Sequence, residues 1–476
     1  MSGTSRTRRA LPLSIAAGCL LTGGVVLLGT SPWTAHTKPA LPAGRAIQVM
    51  LTTAAKAGSL DPAFGQKGVV VSDAVHGEYA EAMTVQADHK ILVAGYQEGV
   101  SPENIPHFIL KRFDASGKPD LSFGTGGQVV TAVRQASISD QAFAVAVQPD
   151  GKILVAGLVF NRSYHSDFAL VRYTPAGTLD ASFGTRGRVI TTVGNGYALS
   201  GAHAVAVQPD GKILVAGIAP SDRKVSRVAL LRYTASGSLD PAFGDHGVTT
   251  TAVGSGATND AANTIMLLKD GRILIAGSTQ NASSPSGFAL LRYLTNGKLD
   301  PSFGKQGKVV TVVGRSDGDH AASAKGMTVL ADGGILLAGD ANVTKDGEAQ
   351  LNIGLAKYHA DGSLDRSFGT KGTTVTTGPY GLGFQSLAAL PDSRFLILGN
   401  VFSADSTNHY AFIHYSRDGG LDSTYGQDKG GLASLESTDD LVQISSLYVQ
   451  PDGKIVIAGM ADFKGTSHFV LSRFNP

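Results

Sequence analysis

Residues 142–157 read Ala142-Phe143-Ala144-Val145-Ala146-Val147-Gln148-Pro149-Asp150-Gly151-Lys152-Ile153-Leu154-Val155-Ala156-Gly157, two apolar runs of strand length on either side of Pro-Asp-Gly-Lys. Asp-Gly between two such runs predicts a β-hairpin, because glycine takes the positive φ of a tight reversal at little cost. Neither run alternates apolar with polar. Strands of this kind are covered on both faces, which calls for sheets stacked against sheets. Working outward, Phe168-Ala169-Leu170-Val171-Arg172-Tyr173 predicts a third strand and Pro175-Ala176-Gly177 a turn. The segment Leu179-Asp180-Ala181-Ser182-Phe183-Gly184 then leads into a fourth strand at Arg188-Val189-Ile190-Thr191-Thr192.

The whole unit recurs. An L-D-x-[AST]-[FY]-G motif places its aspartate at Asp61, Asp120, Asp180, Asp240, Asp300, Asp365 and Asp422, with Pro119 replacing the leucine in the second copy. The Q-P-D-G-K-I-L-V-A-G motif ends at Gly95, Gly157, Gly217, Gly277, Gly339, Gly399 and Gly459. The F-A-L-x-R-Y motif ends at Phe113, Tyr173, Tyr233, Tyr293, Tyr358, Tyr415 and Phe474. A four-stranded sheet repeated seven times in one order predicts an all-β, seven-bladed β-propeller. Sixty glycines and only 16% charged residues fit such a turn-rich chain of buried strands.

These motifs closely resemble the bacterial delta-60 repeat, and more loosely the NHL repeat, over residues 57–476. The resemblance implies a propeller with strands a, b, c and d running from the axis outward, a scaffold that carries diverse roles. In that order the array begins with a d strand at Leu60 to about Val71 and ends with a c strand, Phe469 to Phe474. The ring is therefore expected to close by the N-terminal strand joining the last three strands, which removes an open sheet edge. Deleting 57–72 is expected to destabilise the fold far more than deleting 1–50.

Residues 1–40 are of a different kind. Arg6, Arg8 and Arg9 precede an apolar run from Leu11 to about Leu28, and the only acidic residues before Glu78 are Asp61 and Asp73. This is the pattern of a signal peptide or an uncleaved N-terminal membrane anchor, the run approaching the roughly 20 residues that span a bilayer. Thr7-Arg8-Arg9-Ala10-Leu11 is like a twin-arginine motif, and Ile15-Ala16-Ala17-Gly18-Cys19 is like a lipobox that the apolar run overruns. A linker is expected over 41–56 and the propeller over 57–476, in the periplasm, at the cell surface or secreted.

Beyond residue 40 the chain keeps thirty-six basic against thirty-eight acidic residues, with no footprint for nucleic acid or anionic lipid. The single cysteine, Cys19, lies in the leader. Packing alone must hold the exported domain.

Positions repeated in nearly every blade read as structural. Arg112, Arg172, Arg232, Arg292, Lys357 and Arg473 share one place in strand c, with His414 as the exception, and predict an Asp-Arg pair inside each blade. Phe64, Phe123, Phe183, Phe243, Phe303, Phe368 and Tyr425 predict wedges between blades. The informative position is one that varies among otherwise similar units. Five residues before Gln148 and its equivalents stand Glu81, Phe143, His203, Asn263, Lys325, Gln385 and Ser445, each followed by a small residue. With strand a innermost, these seven form a candidate ligand-binding ring near one mouth of the central channel. The b–c and d–a loops vary too, and alternating strand direction sets both on the same rim, the predicted interaction face.

His76, His203 and His320 do not share one register, so no metal is expected, and no cofactor either. The Asp-Gly turns lack the further carboxylates of a calcium loop. No S-x-D-x-G-x-T-W box, G-x-S-x-G elbow or Walker loop occurs, and no catalytic residue is assigned. The expected function is an extracytoplasmic, non-enzymatic binding or scaffold protein, a monomer engaging a protein or glycan through the variable rim. A propeller enzyme, lyase or lactonase-like hydrolase, with a site at the channel mouth remains an alternative, as does a structural cell-envelope component.

Overall fold

The computed structural model describes residues 58–476 apart from 100–104, 195–198, 222–224, 255–257, 282–283, 315–321, 346–347, 403–407, 425–431, 436–441 and 464. The leader and linker lie outside the described residues.

Blade 2 carries the pattern. Strand a, Ser139–Val147, pairs with b, Ile153–Phe160, which pairs with c, Ser166–Tyr173, which pairs with d, Arg188–Thr191, all antiparallel. Gly151 turns the a–b hairpin at a φ of 80°. Strands b and c are buried on both faces along all but the last residue of b, as the unbroken apolar runs require. Seven such four-stranded sheets follow one another, and the innermost strands of consecutive blades touch all the way round, the last against the first. The blades face each other through seven hydrophobic clusters, one per interface. Between blades 2 and 3, for example, Leu154, Phe168 and Leu170 meet Ile213, Val215 and Leu231.

The ring closes as the repeat phase predicts. Val69–Val71 pairs with Thr466–Phe474, placing Val70 beside Leu471, and supplies strand d to a sheet whose a, b and c strands end the chain. The strand proper is three residues, shorter than the expected span from Leu60. The turn between carries its own bonds: Leu60 bridges Phe474, the Asp61 amide donates to the Arg473 carbonyl at 2.8 Å, and Arg473 Nε donates to Asp61 Oδ2 at 2.8 Å.

That Asp-Arg pair is one member of a series. Arg172 Nε donates to Asp180 Oδ2 at 2.9 Å, its Nη1 donates to the Ala235 carbonyl of the next blade at 2.5 Å, and the guanidinium lies 4.3 Å from the Phe183 ring centroid. Phe183 in turn covers Gly237 of the next blade, where a Cβ would collide with the ring. Tyr233 reaches back, donating to Thr191 Oγ1 at 2.8 Å. Arg112, Arg232, Arg292 and Arg473 repeat the contact, the last tying blade 7 to Ala115 of blade 1. The expected intrablade pair is therefore also an interblade staple. In blade 5 Lys357 takes the place, 3.5 Å from Asp365. In blade 6, where His414 stands, Arg394 of the a–b turn donates to Asp422 at 2.8 Å instead.

Candidate functional site: a ring of bulges at the channel mouth

All seven variable residues occupy one structural position. In every blade the a–b pairing skips a residue of strand a, and the skipped residues are Glu81, Phe143, His203, Asn263, Lys325, Gln385 and Ser445. Each is the extra residue of a β-bulge, which leaves the ladder and re-aims its side chain. Freed from a cross-strand partner, the position tolerates any residue type, and that is why it varies. The glycine ending the V-A-G motif sits opposite. A Cβ on Gly157 would overlap the carbonyl oxygen of Gln141, and Gly95, Gly217, Gly277, Gly339 and Gly459 meet the equivalent carbonyl in their blades. Gly399 is the exception, facing side-chain methyls of Ile353, Ile413 and Leu382.

The bulges lie around the middle of strand a, and the d–a and b–c loops gather at the end where that strand begins. All seven residues are partly exposed, as is most of each strand a beyond its bulge, so the innermost strands line a channel open to solvent. Several ring members bond to the wall. His203 Nδ1 lies 2.9 Å from the Ala262 carbonyl of the next blade, and Phe143 meets the His203 ring edge-on at 6.1 Å. Asn263 Nδ2 donates to the Ala324 carbonyl at 2.8 Å and to Ser323 Oγ at 3.0 Å. Lys325 Nζ is 2.6 Å from Asp340 Oδ2, and Asp340 Oδ1 accepts from the Phe384 amide at 2.9 Å. Ser445 Oγ donates to the Ala458 carbonyl at 3.3 Å. Glu81 is different. No hydrogen bond or ion pair holds its carboxyl among the described residues, and burial pushes its pKa up to about 8. Burial, and then the charge of Glu81, push the phenol of Tyr96 up, and burial lowers His203 against the opposing bond to Ala262.

Three residues before the bulge lies a second set, invisible in the repeat because only three blades carry it. Glu78, Asp140 and Asp260 are buried acids. Glu78 is 2.6 Å from Lys111 Nζ and accepts from Ser72 Oγ at 2.7 Å. Asp140 accepts from the Val133 amide at 2.8 Å and lies 3.3 Å from His107 Nδ1. Asp260 accepts from the Val253 amide at 2.8 Å, from Thr279 Oγ1 at 2.6 Å and from Thr258 Oγ1 at 3.0 Å, with Arg227 at 3.4 Å. Asp140 and Asp260 clamp the d–a crossover entering their blade and reach strand c of the blade before. They shape the mouth without entering it.

On the variable rim Tyr164 in a b–c loop and Tyr380 in a d–a loop are 80% and 60% exposed, and Val75 and Leu199 are exposed in d–a loops. Of the three histidines, His203 is in the ring, His76 is in the crossover entering blade 1, and His320 lies outside the described residues. Among the described residues no group of three or more His, Cys, Asp or Glu side chains is arranged to hold a metal ion.

The family model described as "Domain of unknown function (DUF5122) beta-propeller" matches residues 86–123, 148–183, 208–243, 268–303, 330–368 and 450–476, together less than half of the chain. Each segment runs from the end of strand a to the phenylalanine of the L-D-x-[AST]-[FY]-G motif or to residue 476. The unmatched copy is blade 6, where His414 and Tyr425 depart from the motifs. No curated protein is similar in sequence. Solved structures with similar folds include a protein of unknown function from Dyadobacter fermentans, with 11% identity over 87% of this chain and 100% of that one, at a TM-score of 0.42. An α-L-arabinofuranosidase from Fusarium graminearum has 11% identity over 69% of this chain and 92% of that one, at 0.42. An ulvan lyase has 9% identity over 87% and 93%, at 0.43. The chain is thus a seven-bladed β-propeller whose blades are similar to the DUF5122 propeller repeat.

Proposed function

We propose that this is an exported, non-enzymatic binding propeller of the delta-60 type, which acts as a monomer outside the cytoplasm and holds a protein or glycan ligand on its variable rim. The observation that carries the reading is where variation falls. The bulge side chains of strand a and the loops at its start differ from blade to blade, while the opposite turns repeat one set of contacts. A rigid scaffold with one diversified face is how binding loops are presented. Tyr164 and Tyr380 add large exposed rings to that face, and aromatic side chains are enriched where surfaces bind partners. The test is capture of envelope proteins and glycans by the full chain, compared with a Tyr164→Ala, Tyr380→Ala double variant. Loss of a specific ligand in the variant supports the reading, and equal capture counts against it.

A channel-mouth enzyme, lyase or lactonase-like hydrolase, is the second reading, and Glu81 favours it. A carboxyl raised to about 8 holds its proton at neutral pH, as a general acid must. Turnover of a glycan or lactone panel that vanishes in Glu81→Gln would establish it.

A further inference from the structure

We propose that the sector of the channel mouth formed by blades 1, 2 and 3 binds a neutral polyhydroxylated ligand, a sugar residue, held by the Glu81 carboxyl and the His203 imidazole against the Phe143 ring. This rests on the binding reading above and names the ligand chemistry of its ring.

Charge comes first. The ring carries one cation, Lys325, and Asp340 neutralises it at 2.6 Å. No ring residue is left with an unneutralised positive charge, so a carboxylate, sulfate or phosphate finds no counter-ion there. The one acid, Glu81, is partly exposed on the channel wall, crowded by protein, without a cation or donor beside it among the described residues. Taking a carboxylate into such a place is costly, so the proton stays. A protonated carboxyl offers one donor and one acceptor. His203 supplies the complement. The Ala262 carbonyl can only accept, so the proton sits on Nδ1, and Nε2 is left as an acceptor on a neutral ring. Phe143, edge-on to His203, puts an apolar surface beside this donor and these acceptors.

The ring therefore presents uncharged donors and acceptors next to an aromatic face. A sugar matches it group for group, its hydroxyls both donating and accepting and its C–H face covering the phenyl ring. Bulge geometry holds the three side chains on rigid strands rather than on loops, so little ordering is lost on binding. Lys325 and Asn263, across the ring, are already committed to the wall.

Isothermal titration of the full chain with neutral hexose and pentose oligosaccharides tests this, with polygalacturonate and polylysine as charged controls. A neutral sugar is expected to bind and the controls not to. Glu81→Gln, whose carboxamide keeps a donor and an acceptor, should hold affinity within about threefold, whereas Glu81→Ala and Phe143→Ala should each weaken it about tenfold or more. Neither position bonds to the wall, so both alanine variants should melt as the wild type does. Should one fail to, Phe143→Leu, which keeps apolar bulk without the aromatic face, replaces it. Absence of neutral-sugar binding by the folded wild type overturns the proposal, as does binding that ignores both alanine variants. A protein partner lost on changing Tyr164 and Tyr380, with no sugar bound, would sink this inference and leave the rim reading standing; loss of both would sink the two together.

Discussion

On the turn face, blade after blade repeats one set of contacts, an arginine on its own aspartate and on the carbonyl of the next blade, with a phenylalanine under the guanidinium. On the rim face the partners change from blade to blade. Asp140 takes a histidine from the blade before, Asp260 takes an arginine, Glu78 takes a lysine from its own blade, and Ser200 stands where the next acid would be. Both faces belong to the same strands, so the difference lies in the side chains and loops carried at each end. The turn face holds the sheets in register, by this arginine in five blades and by Lys357 and Arg394 in blades 5 and 6, and with that done the other face is free to differ.

The sharpest way to break the comparison is to remove the device where it closes the ring. Without residues 58–72, blade 7 loses strand d, and Asp61 no longer meets Arg473 and Lys454. Strand c would then present an open edge and a buried, unpaired guanidinium. Loss of the cooperative melting transition, with aggregation, is expected by calorimetry and light scattering. A normal melt would mean that the ring is closed by something other than this strand.

Next comes a single staple. Arg172→Ala leaves the buried Asp180 without its nearest cation and the Ala235 carbonyl without its donor, a cost of about 4 kcal/mol. On the opposite face Gln385→Ala, at a bulge, should cost no more than about 0.5 kcal/mol. Urea unfolding of the two variants side by side would erase the distinction between the faces if the costs came out equal. Somewhat smaller is Gly157→Ala. Its new Cβ meets the Gln141 carbonyl, so the bulge must shift, at about 3 kcal/mol of stability. The same change at Gly399, which faces only side chains, should cost less, and an inverted order would undo the account of why this glycine recurs.

The staples also set an acid limit. Hydrogen bonds from Ser302 and the charge of Arg292 overcome burial to hold Asp300 down at about 2, and bonds from Thr424 and Arg394 do the same for Asp422. A carboxyl lowered in the folded state stabilises it above the unfolded pKa and loses that contribution as pH falls through the folded value. Each such aspartate should therefore supply about 2 kcal/mol at neutral pH that drains away between about pH 4 and pH 2. Melting temperature against pH should fall steeply in that window. A flat profile would mean that these pairs add nothing to stability.

Most of the fold was legible because periodicity needs no structure. Seven copies of one motif set give blade number, strand order and phase, and the phase alone predicts that the two chain ends share a sheet. The ring of seven was also legible, through variation at one register of an otherwise constant unit. Its cause was not. A bulge is a slip between two strands, and nothing in the composition of one strand reveals it. The signal that could have found it is the glycine at the end of every V-A-G motif, in mid-sheet where glycine is otherwise a weakness. The reach of each arginine into the next blade was equally hidden, since its acceptor is a backbone carbonyl and carries no residue identity. Glu78, Asp140 and Asp260 escaped for the opposite reason. They occur in three blades of seven, and aligning repeats treats such residues as noise.

The smallest effect reverses the usual sign. At the inner end of strand a, Gln86, Gln148, Gln208 and Gln450 stand in blades 1, 2, 3 and 7, and Leu268, Leu330 and Leu390 stand in blades 4, 5 and 6. The Oε1 atom of each of the four glutamines is buried and accepts no hydrogen bond from the protein. A buried acceptor left unmet costs free energy that an apolar side chain of similar size does not. Three blades of the same ring already accommodate leucine. Gln148→Leu should therefore stabilise the propeller by about 1 kcal/mol, read as a higher urea midpoint at unchanged slope. A destabilised variant would mean that the glutamine is satisfied by bound water bridging blades 2 and 3, and that the polar half of this register is a built feature of the ring rather than a tolerated one.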